Sequence, residues 1–361
     1  RIGIALPPGL GAAVANLALT LADKVPVNLN FTMGSAAVTA CLRRAEMDLV
    51  VSSPALREKF PNFPWPKETL DLAAELSAFG RAAILLRLVM IWLSPPALLA
   101  RLLALPREGG SREALLLFTS GSVGEPKGVP LTHRNIVGNV IQIAATCFIT
   151  PHDTMLAALP IFHSFGCTVT LWYPLLRGVR MVTVPSPLEI KSIAEAIDEE
   201  KATLSFGTST FLRPYLRRAE RAQLRSLRFV LAGAEKLALD LAEAFESKLG
   251  VTILEGYGLT ETTPVVSVNL PERDGRNVPL SQATGRRLGS VGRLLPGVTA
   301  RIMHLDTGLQ QLPTTKGMLH VRGVNIFGGY LRELERNAQI LQDGWFMTGD
   351  VARFDEEGFL Y

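Results

Sequence analysis

The amino-acid sequence predicts an α/β fold in which parallel α/β subdomains are followed by a small β-rich subdomain. Short β-rich runs alternate with Ala- and Leu-rich helical segments as far as about residue 268, which is typical of a parallel sheet covered by helices. After about residue 288 the helical period fades, and strand-like runs are separated by Gly and Pro turns. The chain has 361 residues, of which 48% are hydrophobic, so we expect a sizeable core shared by about two to three subdomains.

The pattern divides the chain into three parts in order. Residues 1–110 form a first α/β subdomain, residues 111–287 a second α/β region, and residues 288–361 the β-rich subdomain. The runs that we interpret as strands are 25–29, 48–52, 115–118, 179–184, 227–232, 252–254, 292–295, 299–303 and 317–321.

Residues 70–105 are unusually apolar and carry few charges. Arg87 and the pair Pro95-Pro96 interrupt any uncharged run of the ~18 residues that a membrane span needs. We favour helices of the core or between domains. An apolar helical hairpin with basic edges, lying in a bilayer interface, is the alternative, and the sequence leaves both open.

Charge and cysteine content exclude several classes of protein. The formal net charge of +4 is too small on so long a chain to indicate a nucleic-acid partner. Cys41, Cys147 and Cys167 are scattered and form no C-x-x-C pattern, as expected of reduced structural thiols. The five histidines show no metal-ligand spacing.

The strand-like run 115–118 leads into a loop rich in hydroxyls and glycines. Glycines let backbone N–H groups approach an anion, hydroxyls donate further hydrogen bonds, and a lysine supplies a cation. The loop is not a Walker loop, because Gly-Lys-Ser/Thr does not occur in the required order. The pattern therefore predicts a phosphate-binding loop, with a surface hairpin as the alternative. The candidate residues are Thr119, Ser120, Gly121, Ser122, Gly124 and Lys127.

Two later segments add candidate ligands. In residues 253–262 a strand meets a tight Gly-Tyr-Gly turn, where Tyr257 could stack on a base, Thr260 could bond a phosphate and Glu261 could hold Mg²⁺ through oxygen. In residues 344–350, Asp350 follows Thr-Gly at a predicted strand end and could accept hydrogen bonds from a ribose diol. An ordinary turn is the better explanation of each segment when it is taken alone.

Together, and in this order, the three segments resemble the motifs of the adenylate-forming superfamily, which includes acyl-CoA synthetases, luciferases and peptide-synthetase adenylation domains. The resemblance covers essentially the whole chain. Within the superfamily the chain is most similar to the bacterial bifunctional acyl-acyl carrier protein synthetase/2-acylglycerophosphoethanolamine acyltransferases. This finer resemblance rests on residues 27–32, 162–166, 185–188, 206–211 and 232–237.

The resemblance implies ATP (AMP) and Mg²⁺ as cofactors and gives each candidate residue a role. The phosphate loop would hold the ATP phosphates, Thr260 would position the α-phosphate, and Glu261 would bind the metal. Asp350 would hold the ribose hydroxyls. The residues implied to surround the adenine are Gly233, Ala234, Glu235, Tyr257 and Gly258. Those implied to be catalytic are Thr260, Glu261, Lys127 and His163.

The sequence gives His163 two interpretations. Phe162-His163-Ser164 resembles the aromatic-histidine segment that the family places beside the carboxylate pocket. A histidine in an apolar stretch is otherwise a core residue with its hydrogen bonds satisfied. Both interpretations remain open.

The implied reaction is ATP-dependent activation of a fatty acid to acyl-AMP, followed by transfer to the thiol of acyl carrier protein in phospholipid acyl-chain recycling. A long-chain fatty acyl-CoA synthetase, with CoA as acceptor, and a non-catalytic nucleotide- or lipid-binding module are the alternatives. The substrate carboxylate and the ATP phosphate that react are both anions. The site therefore has to neutralise their charge and fix the direction from which they approach each other. An apolar pocket lined by residues 206–208 would fit a fatty tail better than an amino acid, because residues 206–211 contain no acid that could hold a substrate ammonium.

The resemblance also implies a larger bacterial polypeptide at the cytoplasmic face of the inner membrane, with fused acyltransferase or transporter domains. The sequence begins at Arg1 and ends in the strand-like run 357–361, before the hinge and the mobile C-terminal domain that the family carries. That domain supplies a lysine during adenylation. We therefore expect these residues alone to bind nucleotide better than they turn it over.

Overall fold

The computed structural model describes residues 1–106, 108–119, 125–271 and 285–361. It divides into two compact units, residues 1–133 and residues 134–361. The predicted class is confirmed, because parallel sheets with helical connections are followed by a small antiparallel sheet. The units differ from the predicted division at residue 110, since the strands that flank the phosphate loop pair with the first sheet.

The first unit contains a six-stranded sheet in its described residues, with the order β4-β3-β1-β2-β5-β6. Its strands are β1 Ile2–Ile4, β2 Pro26–Asn28, β3 Leu49–Ser52, β4 Glu68–Asp71, β5 Glu113–Thr119 and β6 Lys127–Thr132. The pairs are parallel except for β5 and β6. The helices are α1 Leu10–Leu21, α2 Ser35–Ala45, α3 Pro54–Lys59, α4 Leu72–Ala78, α5 Arg81–Leu93 and α6 Pro96–Leu102.

Helices α4 to α6 confirm the predicted helical character of residues 70–105, but placing them in the core is wrong. None of their residues is buried. The apolar sequence favoured a buried position, but it does not show whether another part of the fold packs over the segment. Within the described ranges, no single helix combines the length and apolarity needed to cross a membrane, although α4 and α5 pass that test when joined across their 87° bend.

The second unit is built on a seven-stranded sheet in its described residues, ordered β13-β12-β11-β10-β9-β7-β8. Its strands are β7 Thr154–Ala157, β8 Arg180–Thr183, β9 Leu204–Gly207, β10 Phe229–Ala232, β11 Ile253–Gly258, β12 Val265–Val268 and β13 Arg293–Leu294. Every residue of β7, β9 and β10 is buried, as expected of parallel strands with both faces covered.

Helix α9, Ile190–Glu200, packs an apolar face into the core of this unit. Its buried residues Ile190, Ile193, Ala194 and Ile197 recur at helical spacing. The other helices of this unit are α7 His133–Ala144, α8 Tyr173–Arg177, α10 Ser209–Leu212, α11 Tyr215–Arg218, α12 Leu239–Ala244 and α13 Leu334–Ile340. Two π-helical segments, Phe165–Trp172 and Phe245–Leu249, and a 3₁₀ turn, Thr260–Thr262, complete the helical elements of the described residues.

A four-stranded antiparallel sheet closes the second unit in the part of the chain that is described, with the order β14-β15-β17-β16. Its strands are β14 Thr299–Met303, β15 Gly317–Arg322, β16 Leu341–Gln342 and β17 Trp345–Ala352. It corresponds to the predicted β-rich part, although β13 belongs to the larger sheet.

Candidate active site

The carboxyl ends of three neighbouring parallel strands meet at one edge of the seven-stranded sheet. Ala232, the last residue of β10, pairs with Gly207 of β9 and with Glu255 of β11. Ligands of open α/β sheets bind outside such an edge, where the loops after the strands converge. The predicted residues Gly233 and Ala234 follow β10 directly at this edge.

The Gly-Tyr-Gly segment is not the tight turn that the sequence predicted. Residues 256–258 continue β11 and pair antiparallel with β12, with a register shift between Tyr257 and Gly258. Gly258 is required by close packing, because a Cβ there would lie 1.8 Å from the carbonyl oxygen of Pro264. Tyr257 therefore lies in β11, just beyond the residues that pair with the end of β10.

Asp350 also differs from its prediction, because it lies within β17 and not at a strand end. Met318 of β15 pairs with Val351 and His320 pairs with Met347, so residues 348–350 form a bulge. Gly349 has a φ of +88°, a conformation that glycine adopts without steric cost. The bulge bends the strand at this point, and Asp350 is exposed.

Tyr257 and Asp350 meet at the site. The Tyr257 hydroxyl donates to Oδ2 of Asp350 over 2.5 Å. Burial raises the pKa of Tyr257, and the neighbouring Asp350 carboxylate raises it further. The phenol therefore remains a hydrogen-bond donor near neutral pH, and it orients the carboxylate that we predict to hold the ribose.

Thr260 and the His163 segment come together on the same side of the sheet. Thr260 opens the 3₁₀ turn after β11, and its Oγ1 lies 3.3 Å from Oγ of the buried Ser164. His163 precedes Ser164, keeps an exposed face, and has its ring centroid 4.8 Å from that of Phe162. Desolvation by the surrounding protein lowers the pKa of His163, so the imidazole is neutral at pH 7.

Glu261 is 8% exposed and accepts a hydrogen bond at Oε1 from the Tyr330 hydroxyl over 2.6 Å. Asn337 fixes Tyr330 by accepting from its backbone N–H (2.7 Å) and donating to its carbonyl oxygen (2.8 Å). Burial raises the pKa of Tyr330, with a further contribution from Glu261. Tyr330 is a site residue that the sequence analysis missed; the aromatic after Gly328-Gly329 was the available signal.

The surroundings of Glu261 fit a magnesium ion. No group of three or more His, Cys, Asp or Glu side chains is arranged for a metal within the described ranges. Mg²⁺ needs no such cage, because it is commonly held by one or two carboxylates together with water and substrate phosphates. The Tyr330 hydroxyl occupies one oxygen of Glu261, and the carboxylate can offer the other.

Glu235 links the loops after β9 and β10. Its Oε2 accepts from the backbone N–H of Thr210 (3.0 Å) and from the Thr210 hydroxyl (2.8 Å). The neighbouring Ala234 has a φ of +66°, an unusual conformation for a residue with a Cβ. The N–H of Gly233 donates to the carbonyl oxygen of Gly207 over 3.2 Å. These bonds give the predicted adenine-binding segment a fixed shape.

An apolar cavity opens beside these residues, and about 80 Å³ of it is accessible to the centre of a water molecule. Among the described residues Ser164 and Tyr257 supply polar side chains to its lining, and no charged side chain contributes. Residues 206–208 do not line this cavity, although the Phe206 ring centroid lies 6.3 Å from that of Phe165, which does. The lining residues are Ile143, Phe148, Ile149, Ser164, Phe165, Val169, Leu231, Ala232, Gly233, Ala234, Gly256, Tyr257, Gly258, Pro264, Val265 and Val268.

The predicted phosphate loop lies in the first unit, where Thr119 of β5 and Lys127 of β6 are cross-strand partners. The strands on either side of the loop therefore form an antiparallel pair. Ser120, Gly121, Ser122 and Gly124 lie outside the described residues. The phosphate role of the loop stays a prediction, as do the individual ligand roles of the other site residues.

Comparison with known proteins gives a family match over most of the chain. The sequence profile of the AMP-binding enzymes, described as "AMP-binding enzyme", matches residues 1–331. A long-chain-fatty-acid–CoA ligase of Bacillus subtilis is 35% identical over 254 residues, which are 69% of this chain and 43% of that protein. A feruloyl-CoA synthase of Amycolatopsis is 32% identical over 68% of this chain and 48% of its own. The chain thus spans less than half the length of these relatives.

Solved structures match the whole chain. ATP-bound MatB from Rhodopseudomonas palustris superposes with a TM-score of 0.80 and 27% sequence identity, covering 100% of this chain and 67% of that one. The similarity supports the same succession of α/β sheets and small antiparallel sheet in both proteins.

Proposed function

Because this chain belongs to the AMP-binding enzyme family, we propose that it activates a fatty acid with ATP. In this reaction a carboxylate oxygen attacks the α-phosphorus, forms the acyl-AMP anhydride and releases pyrophosphate. The family uses ATP with Mg²⁺ and has AMP as its product nucleotide, so the predicted cofactors are confirmed at the level of the family.

The observation that carries the proposal is the apolar cavity next to the predicted adenylate residues. Gly233, Ala234 and Tyr257 line the cavity and are also the residues that we predict to surround the adenine. Ser164 also lines the cavity and lies 3.3 Å from Thr260, so a fatty tail in the cavity could place its carboxylate near the proposed α-phosphate donor. The absence of a charged side chain from the described lining favours an apolar acid over an amino acid or a dicarboxylic acid.

Some site residues are proposed to position the nucleotide, and others to offset the charge of its phosphates. The Tyr257 ring offers a stacking surface and Asp350 an acceptor for ribose hydroxyls. Thr260, held near Ser164, is proposed to donate to the α-phosphate. His163, neutral at pH 7, can donate a hydrogen bond to the substrate carboxylate while still accepting one. Mg²⁺ bound at Glu261 would supply positive charge that offsets the charge of the phosphates.

For the second step we propose transfer of the acyl group to the thiol of acyl carrier protein. The support is the resemblance of residues 27–32, 162–166 and 206–211 to the bifunctional acyl-acyl carrier protein synthetases. Phospholipid acyl-chain recycling at the cytoplasmic face of the inner membrane, within a larger polypeptide that carries an acyltransferase or transporter domain, completes this proposal. CoA is the competing acceptor, favoured by the names of the relatives.

The two acceptors are distinguished by supplying the chain with palmitoyl-AMP and either reduced holo-acyl carrier protein or CoA. The thioester that forms above the enzyme-free background is measured for each. Selective acceleration with acyl carrier protein supports the proposal, and acceleration with CoA alone overturns the acceptor assignment. Fatty-acid-dependent exchange of pyrophosphate into ATP tests the first step separately. If the chain binds ATP but catalyses neither step, it is a nucleotide-binding module.

A further inference from the structure

Helices α5 and α6 in the first unit expose an apolar surface that the proposed reaction does not use. Every residue of α5 is exposed. Trp92 at its end is 85% exposed and Leu93 is 66% exposed. Isolated apolar side chains on a surface need no explanation, whereas a contiguous apolar patch marks a site of interaction. The large exposed side chains are Ile84, Leu85, Leu86, Leu88, Val89, Met90, Ile91, Trp92, Leu93, Leu98, Leu102 and Leu103.

The apolar residues surround α5 and do not form a single stripe. Residues 88–93 are consecutive and apolar, and successive helical residues are ~100° apart, so they cover the full circumference. A second copy of the chain that packed against one face would leave the opposite face in water. Lipid can surround such a helix on all sides.

The charges of this segment complement an anionic surface. Residues 76–106 contain no Asp or Glu, and their charged residues are Arg81, Arg87 and Arg101. The uncharged run 88–100 lies between Arg87 and Arg101. Arg87 also stacks on the Phe79 ring, with its guanidinium carbon 4.5 Å from the ring centroid. Arginines at both ends of an apolar run suit lipid headgroups, because long cationic side chains can reach the polar layer while the apolar part is buried.

Helix α5 is long enough to lie in a bilayer interface but too short to cross a bilayer. Its 13 residues give about 20 Å of helix, against ~30 Å of hydrocarbon in a bilayer. The pair Pro95-Pro96 then starts α6, whose last turn carries Arg101.

We propose that residues 76–106 dock the protein on an anionic lipid bilayer, with the apolar tip around Trp92 and Leu93 below the headgroups and Arg87 and Arg101 among them. The inference does not depend on the proposed reaction, because it uses no residue of the candidate active site. Long-chain acids are themselves concentrated in bilayers, so docking would bring the protein to the surface that holds its proposed substrate.

The test is flotation of the whole chain with vesicles of phosphatidylethanolamine and phosphatidylglycerol, beside vesicles of phosphatidylcholine. We expect the chain to float with the anionic vesicles, and the double variant Trp92→Asp, Leu93→Asp to lose at least about tenfold in partitioning. The double variant Arg87→Gln, Arg101→Gln should lose about fivefold for each arginine on anionic vesicles at low salt. On phosphatidylcholine it should behave as the parent does.

Controls separate docking from misfolding and from self-association. The double variant Leu305→Asp, Leu309→Asp changes exposed leucines elsewhere and should float like the parent, and thermal unfolding should be the same for all variants. Quenching of tryptophan fluorescence by brominated lipids should decrease in Trp92→Phe. Failure of the parent to float, equal flotation of the Trp92/Leu93 variant, or a dimer dispersed by that variant without any vesicle binding would each overturn the proposal.

Discussion

The hydroxyl of Tyr257 donates a hydrogen bond to Oδ2 of Asp350 over 2.5 Å. The bond joins β11 of the seven-stranded sheet to the bulge of β17 in the four-stranded sheet. It brings a predicted adenine-stacking ring and a predicted ribose acceptor into direct contact. The two residues are 93 positions apart in the chain.

Replacing Asp350 tests the ribose assignment. Asp350→Ala should weaken AMP binding roughly 10- to 100-fold, because hydrogen bonds to a charged group are lost. Tyr257→Phe keeps the ring and removes the donor that orients Asp350, so we expect a smaller loss of about threefold to tenfold. Isothermal titration with AMP measures both. Asp306→Ala, at an exposed aspartate outside the site, is the control, and unchanged affinity in Asp350→Ala would refute the assignment.

Changes at Glu261 and Tyr330 should affect metal-dependent binding selectively. Glu261→Gln should weaken ATP binding in the presence of Mg²⁺ by roughly tenfold or more while leaving AMP affinity without metal nearly unchanged. Tyr330→Phe removes the donor to a buried carboxylate, so it should lower the free energy of unfolding by about 1–3 kcal/mol and shift the Mg²⁺ titration. Titrations of ATP at several Mg²⁺ concentrations measure the effect. Glu335→Gln on α13 is the matched control, and an equal response of AMP and Mg²⁺-ATP would contradict the metal role.

Filling the cavity should shorten the acyl chain that the protein accepts. Val169 lines the cavity, and Val169→Phe should weaken binding of a palmitoyl-AMP analogue by roughly tenfold or more while sparing AMP and an acetyl-AMP analogue. Val137→Phe makes the same replacement at an exposed position of α7 and should change neither. Equal losses for short and long analogues would show that the cavity does not hold the tail.

The pH dependence of stability should contain a contribution from His163. Its pKa is lowered by burial, so the folded state favours the neutral imidazole and binds fewer protons than the unfolded state as the pH falls. Its contribution is full above the unfolded pKa of about 6.5 and is lost as the pH falls from that value through the lower pKa of the folded state. Thermal unfolding between about pH 5.5 and pH 7.5 should show a smaller decrease for His163→Gln than for the parent. His152→Gln, at an exposed histidine, is the comparison, and identical slopes for the parent and His163→Gln would exclude the contribution.

Local pattern predicted the elements well, because period and turn residues act within a few positions. The alternation of strands and helices and the β-rich part at the end of the sequence are both present. Residues 72–102 are mostly helical, as predicted. Their exposure could not be read from apolarity, because burial depends on what the rest of the fold places over a helix.

Long-range contacts were the part that the sequence could not supply. The bonds from Tyr257 to Asp350 and from Tyr330 to Glu261 join residues 93 and 69 positions apart, and no local pattern pairs them. The tight turn expected at residues 256–258 is a strand, because pairing with β12 overrides the turn tendency of two glycines. The cavity walls come from separate elements, so no local run of residues such as 206–208 could identify its lining.

The most direct test of the account is isothermal titration of the chain with a non-hydrolysable palmitoyl-AMP analogue, with AMP as the reference. We predict that the analogue binds at least about 100-fold more tightly than AMP, because its tail enters the apolar cavity. Asp350→Ala should weaken both ligands, whereas Val169→Phe should weaken the analogue alone, and the two effects should add in the double variant. Binding of the analogue no tighter than AMP by a folded sample would contradict the claim that the cavity and the adenylate residues form one site.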